Sequence, residues 1–185
     1  MILRAVKDTD YKDILDIYRY YIENTTVTFE YEVPSEEEFG ERIKNISSKY
    51  PYIIAEDNGR VVGYAYADTC FSSRKAYSWD SDVSVYINKE YRGRGLGRKL
   101  YSTLEVLLKK LGYVTLYAIV TGENKASIAF HKSMGYTLVG DFPRSGYKMG
   151  RWLNVLFFTK LIGSDGDPGD VPEKAPESGV YNLLK

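Results

Sequence analysis

The stretch Arg92, Gly93, Arg94, Gly95, Leu96, Gly97 sets three glycines among arginines, with Arg98 and Lys99 directly behind. Closely spaced glycines let main-chain amides approach an anion, and the partial positive charge at the start of a helix adds to the attraction. The basic side chains suit a pyrophosphate better than a single carboxylate; the other reading is a tight turn with solvated arginines. Two nucleotide motifs do not fit. A Walker loop needs Lys and then Ser or Thr after its second glycine, whereas Arg98 follows Gly97 and Leu100 follows Lys99. A dinucleotide fingerprint begun at Gly93 needs glycine where Arg98 stands.

Upstream, Asp82, Ser84 and Tyr86 alternate with Val83, Val85 and Ile87, so one strand face is apolar and the other presents an acid and two hydroxyls. Downstream, His131 is the only histidine and lies four residues after Ser127, on the same face of a helix. Such a histidine can move a proton near neutral pH, or it can simply pack. Arg74 precedes Tyr77 in a polar loop, where an arginine can hold a carboxylate bidentately or stand exposed on the surface. Cys70 has no histidine close to it in sequence and reads as a packing residue rather than a nucleophile.

These residues need a scaffold. Ile2 to Val6 reads as a strand; Asp8 or Asp10 then caps a helix on which Ile14, Tyr18, Tyr21 and Ile22 share a face. Thr25 to Pro34 is aromatic and irregular. Ser35 and Glu38 form a capping box for a second helix carrying Phe39, Ile43 and Ile46. Tyr52 to Glu56 and Val61 to Asp68 flank an Asn58-Gly59 hairpin turn. After the strand at Asp82 and the glycine loop, Leu100, Leu104, Leu107, Leu108 and Leu111 line a helix stopped by Gly112. Val114 to Val120 is a strand, Lys125 to Met134 a helix, and Tyr136 to Gly140 and Val155 to Leu161 the last strands. Hairpin and crossover connections together specify a mixed α/β sheet.

The chain has 185 residues with 25 Lys plus Arg balanced by 25 Asp plus Glu, so no global field favours nucleic acid or an anionic membrane. No apolar run approaches the roughly 18 residues of a membrane span, and one cysteine makes no intrachain disulfide. A cytoplasmic protein with no metal centre is expected. Residues 1–162 form one domain; from Gly163 the Gly, Ser, Asp and Pro content predicts a flexible tail over 163–185.

Arg92, Gly95 and Gly97 match the R/Q-x-x-G-x-G/A signature of the GNAT superfamily of acyl-CoA N-acyltransferases, which the chain resembles over residues 1–162. The likeness is to its phosphinothricin and methionine sulfone or sulfoximine acetyltransferase branch. It rests on Thr28-Phe29-Glu30, Gly63-Tyr64-Ala65, Arg74 with Ala76-Tyr77, Ser84-Val85-Tyr86, and Asn124 with Ser127 and His131. Gly146-Tyr147-Lys148 and Gly150-Arg151-Trp152 complete it, although Asn154 stands where the family commonly has aspartate.

The resemblance implies an α/β (α+β) fold whose central sheet is mixed, mostly antiparallel, splayed and flanked by helices. It implies an acetyl-CoA site in which Val85, Tyr86 and Ile87 offer backbone to the pantetheine arm. Arg92, Gly93, Arg94, Gly95, Leu96 and Gly97 would cradle the pyrophosphate, with Asn124 and Ser127 on the cofactor from the next crossover. The implied activity is acetyl transfer to the amine of a small amino acid or analogue by direct attack in a ternary complex. Such a reaction needs an uncharged amine, and the family's glutamate at the base position is here Asp82. The shorter side chain calls for a bridging water or help from Asp80, or else Asp82 is only a hydrogen-bonded strand residue. His131 stands where many members carry a tyrosine thought to protonate the thiolate. The implied acceptor residues are Phe29, Glu30, Arg74 and Tyr77, and family members are often homodimers. Acetylation of a protein amino terminus or lysine, and acyl-CoA binding without catalysis, are the competing functions.

Overall fold

The computed structural model describes residues 1–71 and 74–184. Along the chain run β1 (Ile2–Ala5), α1 (Tyr11–Asn24), α2 (Glu36–Ser47), β2 (Tyr52–Asp57), β3 (Arg60–Asp68) and β4 (Asp80–Ile87). There follow α3 (Leu96–Leu111), β5 (Thr115–Thr121), α4 (Lys125–Ser133), β6 (Thr137–Lys148) and β7 (Arg151–Leu161). The seven strands form one sheet in the order β1-β2-β3-β4-β5-β7-β6. Among the described residues only the β4–β5 pair is parallel, as the α3 crossover requires.

Strand alternation sends side chains to both faces and so creates two cores. Tyr52, Ile54 and Tyr64 meet Ile14, Tyr18, Ile22, Phe39 and Ile43 of α1 and α2. Ile53, Ala65, Val83 and Leu116 meet Leu100, Leu104, Leu107 and Leu108 of α3 on the opposite face. The leucine stripe read in the sequence is this second core, and α3 ends at Gly112 in the left-handed conformation (φ +96°).

Both halves of the Ser35–Glu38 capping box form. Asp10 does something other than cap α1: it accepts the Lys7 N–H at 2.7 Å and both terminal nitrogens of Arg4 at 2.7 and 2.8 Å. Arg4 in turn reaches Glu56 at 2.7 Å, which ties the approach to α1 onto β1 and β2. The last hairpin is longer than its periodicity indicates, turning at Met149-Gly150 with positive φ at both residues. Register shifts at Leu138/Gly140 and Phe142/Gly146 break the alternation that would have revealed β6.

The expectation of a flexible tail needs correcting. Ala175 and Val180 are buried, and a 3-10 turn at Val180–Leu184 packs against α3 and β1. The Ala175 N–H donates to Lys49 O (2.9 Å), and the Tyr181 hydroxyl accepts the Tyr52 N–H (3.0 Å). Composition described the exposed stretch 164–170, but a few apolar side chains beyond it suffice to seat the end of the chain.

Candidate active site

β4 and β5 pair only through Asp80–Asp82 and Thr115–Tyr117, then part. The Asn88 N–H donates to Val62 O at 2.9 Å, which makes Ser84 and Tyr86 the β4 residues hydrogen-bonded to β3. Val85 and Ile87 therefore turn their N–H and C=O groups, and Val83 its C=O, into the gap that the departing β5 leaves. The Tyr101 hydroxyl stands 3.3 Å from Val83 O. At the other end the Tyr21 hydroxyl donates to Ile87 O (2.7 Å) and accepts the Ile87 N–H (3.1 Å). Between these two tyrosines the peptide groups of Val85 face the opening. Tyr21 appears in the sequence as one more apolar-face residue, and only the fold reveals its hydroxyl at the strand end.

The gap continues into a cleft of about 530 Å³ lined by Tyr21, Val85, Ile87, the glycine loop, Asn124 and Phe130. Gly93 and Gly95 adopt φ of +73° and +77°, and no atom lies within 4 Å of where a β-carbon would stand on either. The conformation demands glycine and leaves the main chain open to a ligand. α3 begins at Leu96 with no side-chain cap, so its first amides face the cleft mouth without an intrahelical partner. The Leu96 side chain is core, which leaves its main chain as its contribution to the loop. Arg92 lies over the rings of Tyr20 and Tyr21 (5.0 and 4.8 Å) and Arg94 over Tyr91 (5.2 Å). Arg98 bonds Ser133 Oγ at 2.8 Å. A polyanion such as a pyrophosphate fits this cradle. Asn124 lines the cleft while its Oδ1 accepts the Ser127 N–H (3.1 Å) and caps α4. Gly95→Val would force a β-branched residue into the left-handed region at a cost of about 1–3 kcal/mol. It is expected to weaken binding of a pyrophosphate-bearing ligand at least about tenfold by isothermal titration.

Asp82 sits where β4 and β5 part, directly opposite Asp68 on β3 and Tyr117 on β5. Its Oδ1 is buried without a hydrogen-bond partner. Burial, reinforced by the charge of Asp68, pushes the carboxyl up to about 7 against the opposing pull of the Val83 N–H. Burial also raises Asp80 above the usual carboxylate range. Desolvation and these two aspartates push the Cys70 thiol up to about 12, which suits a packing residue and not a nucleophile.

His131 is buried beside the same opening, with Ser127, where a cavity of about 60 Å³ lies between the parted strands. Its Nδ1 is 2.8 Å from Ser127 O and its Nε2 2.9 Å from the Tyr101 hydroxyl. A carbonyl only accepts, so Nδ1 carries the proton and Nε2 takes the tyrosine hydrogen. Burial lowers its pKa, and the ring stacks on Phe158 at 5.7 Å. His131→Gln is expected to lower the melting temperature by several degrees while leaving the pH midpoints of turnover in place. A pH–rate series on the variant measures this.

The irregular segment after α1 lies across the opening. Lys148 is buried and donates to Ile22 O and Thr28 O, both at 2.8 Å, holding the end of α1 and the segment together. Burial lowers its pKa, with the Glu30 charge working the other way. Thr121 Oγ1 donates to Thr26 O (2.6 Å), and Tyr31 bonds Tyr147 O. Phe29 lies against the bare backbone of Gly146. Glu30 accepts from Tyr18 (3.0 Å) and from Arg42 of α2 (2.5 Å), a residue the sequence did not single out. Glu30, Arg42, Tyr18, Tyr66 and Asp68 line a cavity of about 640 Å³. Arg74 and Tyr77 belong to the loop on the other side of β4. There Phe71 packs on Tyr77 (5.6 Å) and on Tyr117 (5.0 Å), the residue opposite Asp82. Among the described residues no group of three or more His, Cys, Asp or Glu is placed to hold a metal ion, and no helix is long and apolar enough to cross a membrane.

Comparison with known proteins gives four likenesses. A model of the acetyltransferase (GNAT) domain matches residues 3–156. The phosphinothricin N-acetyltransferase of Streptomyces viridochromogenes is 32% identical over 158 residues, 85% of this chain and 86% of that protein. The L-methionine sulfoximine/L-methionine sulfone acetyltransferase of Salmonella typhimurium is 35% identical over 120 residues, 64% of this chain and 69% of its own. Among solved structures, a GNAT superfamily phosphinothricin acetyltransferase from Sinorhizobium meliloti in complex with AcCoA superposes with a TM-score of 0.87. It is 36% identical and is matched over 92% of this chain and 94% of its own.

Proposed function

The chain belongs to the acetyltransferase (GNAT) family, and from that premise we propose that it acetylates the amine of a small amino acid or amino-acid analogue of the phosphinothricin or methionine sulfone type, using acetyl-CoA. The observation that carries this reading is the parting of β4 from β5, with an anion cradle at one end and a buried carboxylate at the other. The relatives named for those acceptors, at 32% and 35% identity, support the acceptor class.

Acetyl-CoA supplies the thioester carbon that the amine attacks, the C–S bond breaking as the C–N bond forms. The amides of the glycine loop and of the first turn of α3 would hold its pyrophosphate, and the Val85 peptide groups its pantetheine amides. Asp82 would accept a proton from the acceptor's ammonium, directly or through one water, and its pKa of about 7 matches that task near neutrality. The amine's second proton, lost after attack, neutralises the departing thiolate through solvent. Neutral His131 would hold Tyr101 and the Ser127 turn in place beside the opening. Phe29 and Glu30 on one side and Arg74 and Tyr77 on the other would bound the acceptor.

A homodimer is part of the proposal. β6 is an edge strand with most of its residues exposed, including Leu138, Val139, Phe142 and Tyr147, and Trp152 continues the apolar surface on β7. A cytoplasmic location accords with a lone cysteine that has no disulfide to form.

The deciding experiment is acetyl-CoA-dependent thiol release against phosphinothricin, methionine sulfone, methionine sulfoximine, common amino acids, polyamines and peptides. Release with an amino-acid analogue is the expected result. Release with peptides alone would replace the acceptor class, and acetyl-CoA binding without release from any acceptor would reduce the protein to a binding module.

A further inference from the structure

Asp68 ends β3 directly opposite Asp82, in a hydrogen-bonded pair of the β3–β4 ladder. Residues so paired point to the same face of a sheet with β-carbons about 5 Å apart, and like charges placed there repel. Two features suit the pair to a ligand. Asp82 Oδ1 is buried with no donor, and Asp68 lines the 640 Å³ cavity on that face. Asp68 Oδ1 accepts the Thr69 N–H at 2.7 Å, which fixes the carboxylate in one orientation.

We propose that Asp68 is a positioning residue of the acceptor site, forming with Asp82 a two-carboxylate seat that admits the acceptor as an ammonium ion and holds its nitrogen against Asp82. The proposal rests on the reading of Asp82 as the base. An ammonium cation supplies the donor that Asp82 Oδ1 lacks and offsets the repulsion between the carboxylates. It then gives one proton to Asp82, leaving the neutral amine to attack. Several other titratable groups surround the pair. Tyr66 is the neighbour on β3, Asp80 on β4 and Tyr117 on β5. Cys70 from the following loop and Tyr101 from α3 also feel the Asp82 charge, and Lys49 faces Asp68. None of these is a carboxylate placed directly opposite Asp82, as Asp68 is.

The test is Asp68→Asn, which keeps an acceptor for the Thr69 N–H while removing the charge. The acid limb of the kcat/KM profile for the acceptor is expected to move down by about one pH unit, because Asp82 loses its like-charged neighbour. KM for the acceptor at pH 8 is expected to rise about tenfold as the ammonium loses a partner, with KM for acetyl-CoA unchanged. Asp68→Glu, which restores the charge, is expected to return the limb toward its wild-type position. A folded Asp68→Asn enzyme with the limb and the acceptor KM unmoved would overturn the role of Asp68 and leave the proposed function standing. Wild-type protein without acceptor-dependent turnover would overturn both. If the amide variant does not fold, Asp68→Ser is judged by the same two readings.

Discussion

Replacing Asp82 with asparagine is expected to lower acceptor-dependent kcat/KM by about 10²–10³-fold at pH 7, the usual loss when a positioned base is removed. Part of the rate should return at alkaline pH, as the acceptor's own amine sheds its proton unaided. In the wild-type enzyme turnover is expected to fall as the pH drops through about 7, where Asp82 takes up a proton. A profile flat across that interval, or a variant as fast as wild type, would remove Asp82 from the mechanism.

The same substitution should act on stability in the opposite direction. Asp82 holds its proton up to about 7 in the folded chain but only to its ordinary value near 4 when unfolded. Between those limits the native state binds the extra proton, so Asp82 makes the fold less stable as pH rises, with the full cost present above 7. At about 1.4 kcal/mol for each unit, the cost reaches about 4 kcal/mol, reduced in the variant by the amide's own need for partners. Asp82→Asn is therefore expected to raise the melting temperature at pH 8 by several degrees and to change it little at pH 4. A loss of activity joined to a gain in stability marks a residue kept for chemistry.

The second large effect is expected at Gly146. A β-carbon there would overlap Cε1 and Cζ of the Phe29 ring, so Gly146→Val cannot be accommodated unless the ring leaves. Overpacking of this kind costs about 1–3 kcal/mol, and the displaced ring pulls on Thr28, whose carbonyl Lys148 holds. KM for the acceptor should rise about tenfold or more, a loss of at least about 1.4 kcal/mol of binding. CoA affinity should stay unchanged, because the glycine loop lies outside this contact. An unchanged acceptor KM would show that Phe29 does not bound the acceptor.

What could be read in advance was local. Asn58-Gly59 turns the hairpin with φ of +50° and +77°, Ser35 caps α2, and Gly93 and Gly95 take the left-handed conformations that only neighbouring residues dictate. What could not be read depends on pairing across long separations. The departure of β5 from β4 after three residue pairs leaves no mark in either strand's alternation. Tyr21 reaches Ile87 across 66 positions, and in the sequence its hydroxyl is indistinguishable from those of the other 17 tyrosines. Asp68 looked like a polar strand end until the register set it against Asp82. Arg42 is one arginine on an exposed helix face until the fold brings Glu30 to it. The resemblance named residues for the cradle, while the neighbours that tune Asp82 emerge only from the packing of the fold.

The seating of the chain's last turn has a consequence for how the molecule comes apart. Where β4 leaves β5, the sheet is nearly two sheets, one built on β1 to β4 and the other on β5 to β7, and a seam of three residue pairs invites each to melt on its own. The segment after β7 crosses back to Lys49 and Tyr52, closing a loop of more than a hundred residues. Loop-closure entropy grows only slowly with length, so the added span costs little beyond that of a short loop. In return the two halves are expected to share one unfolding transition, so that a sheet can stay split wide enough for a substrate without becoming two independent folding units.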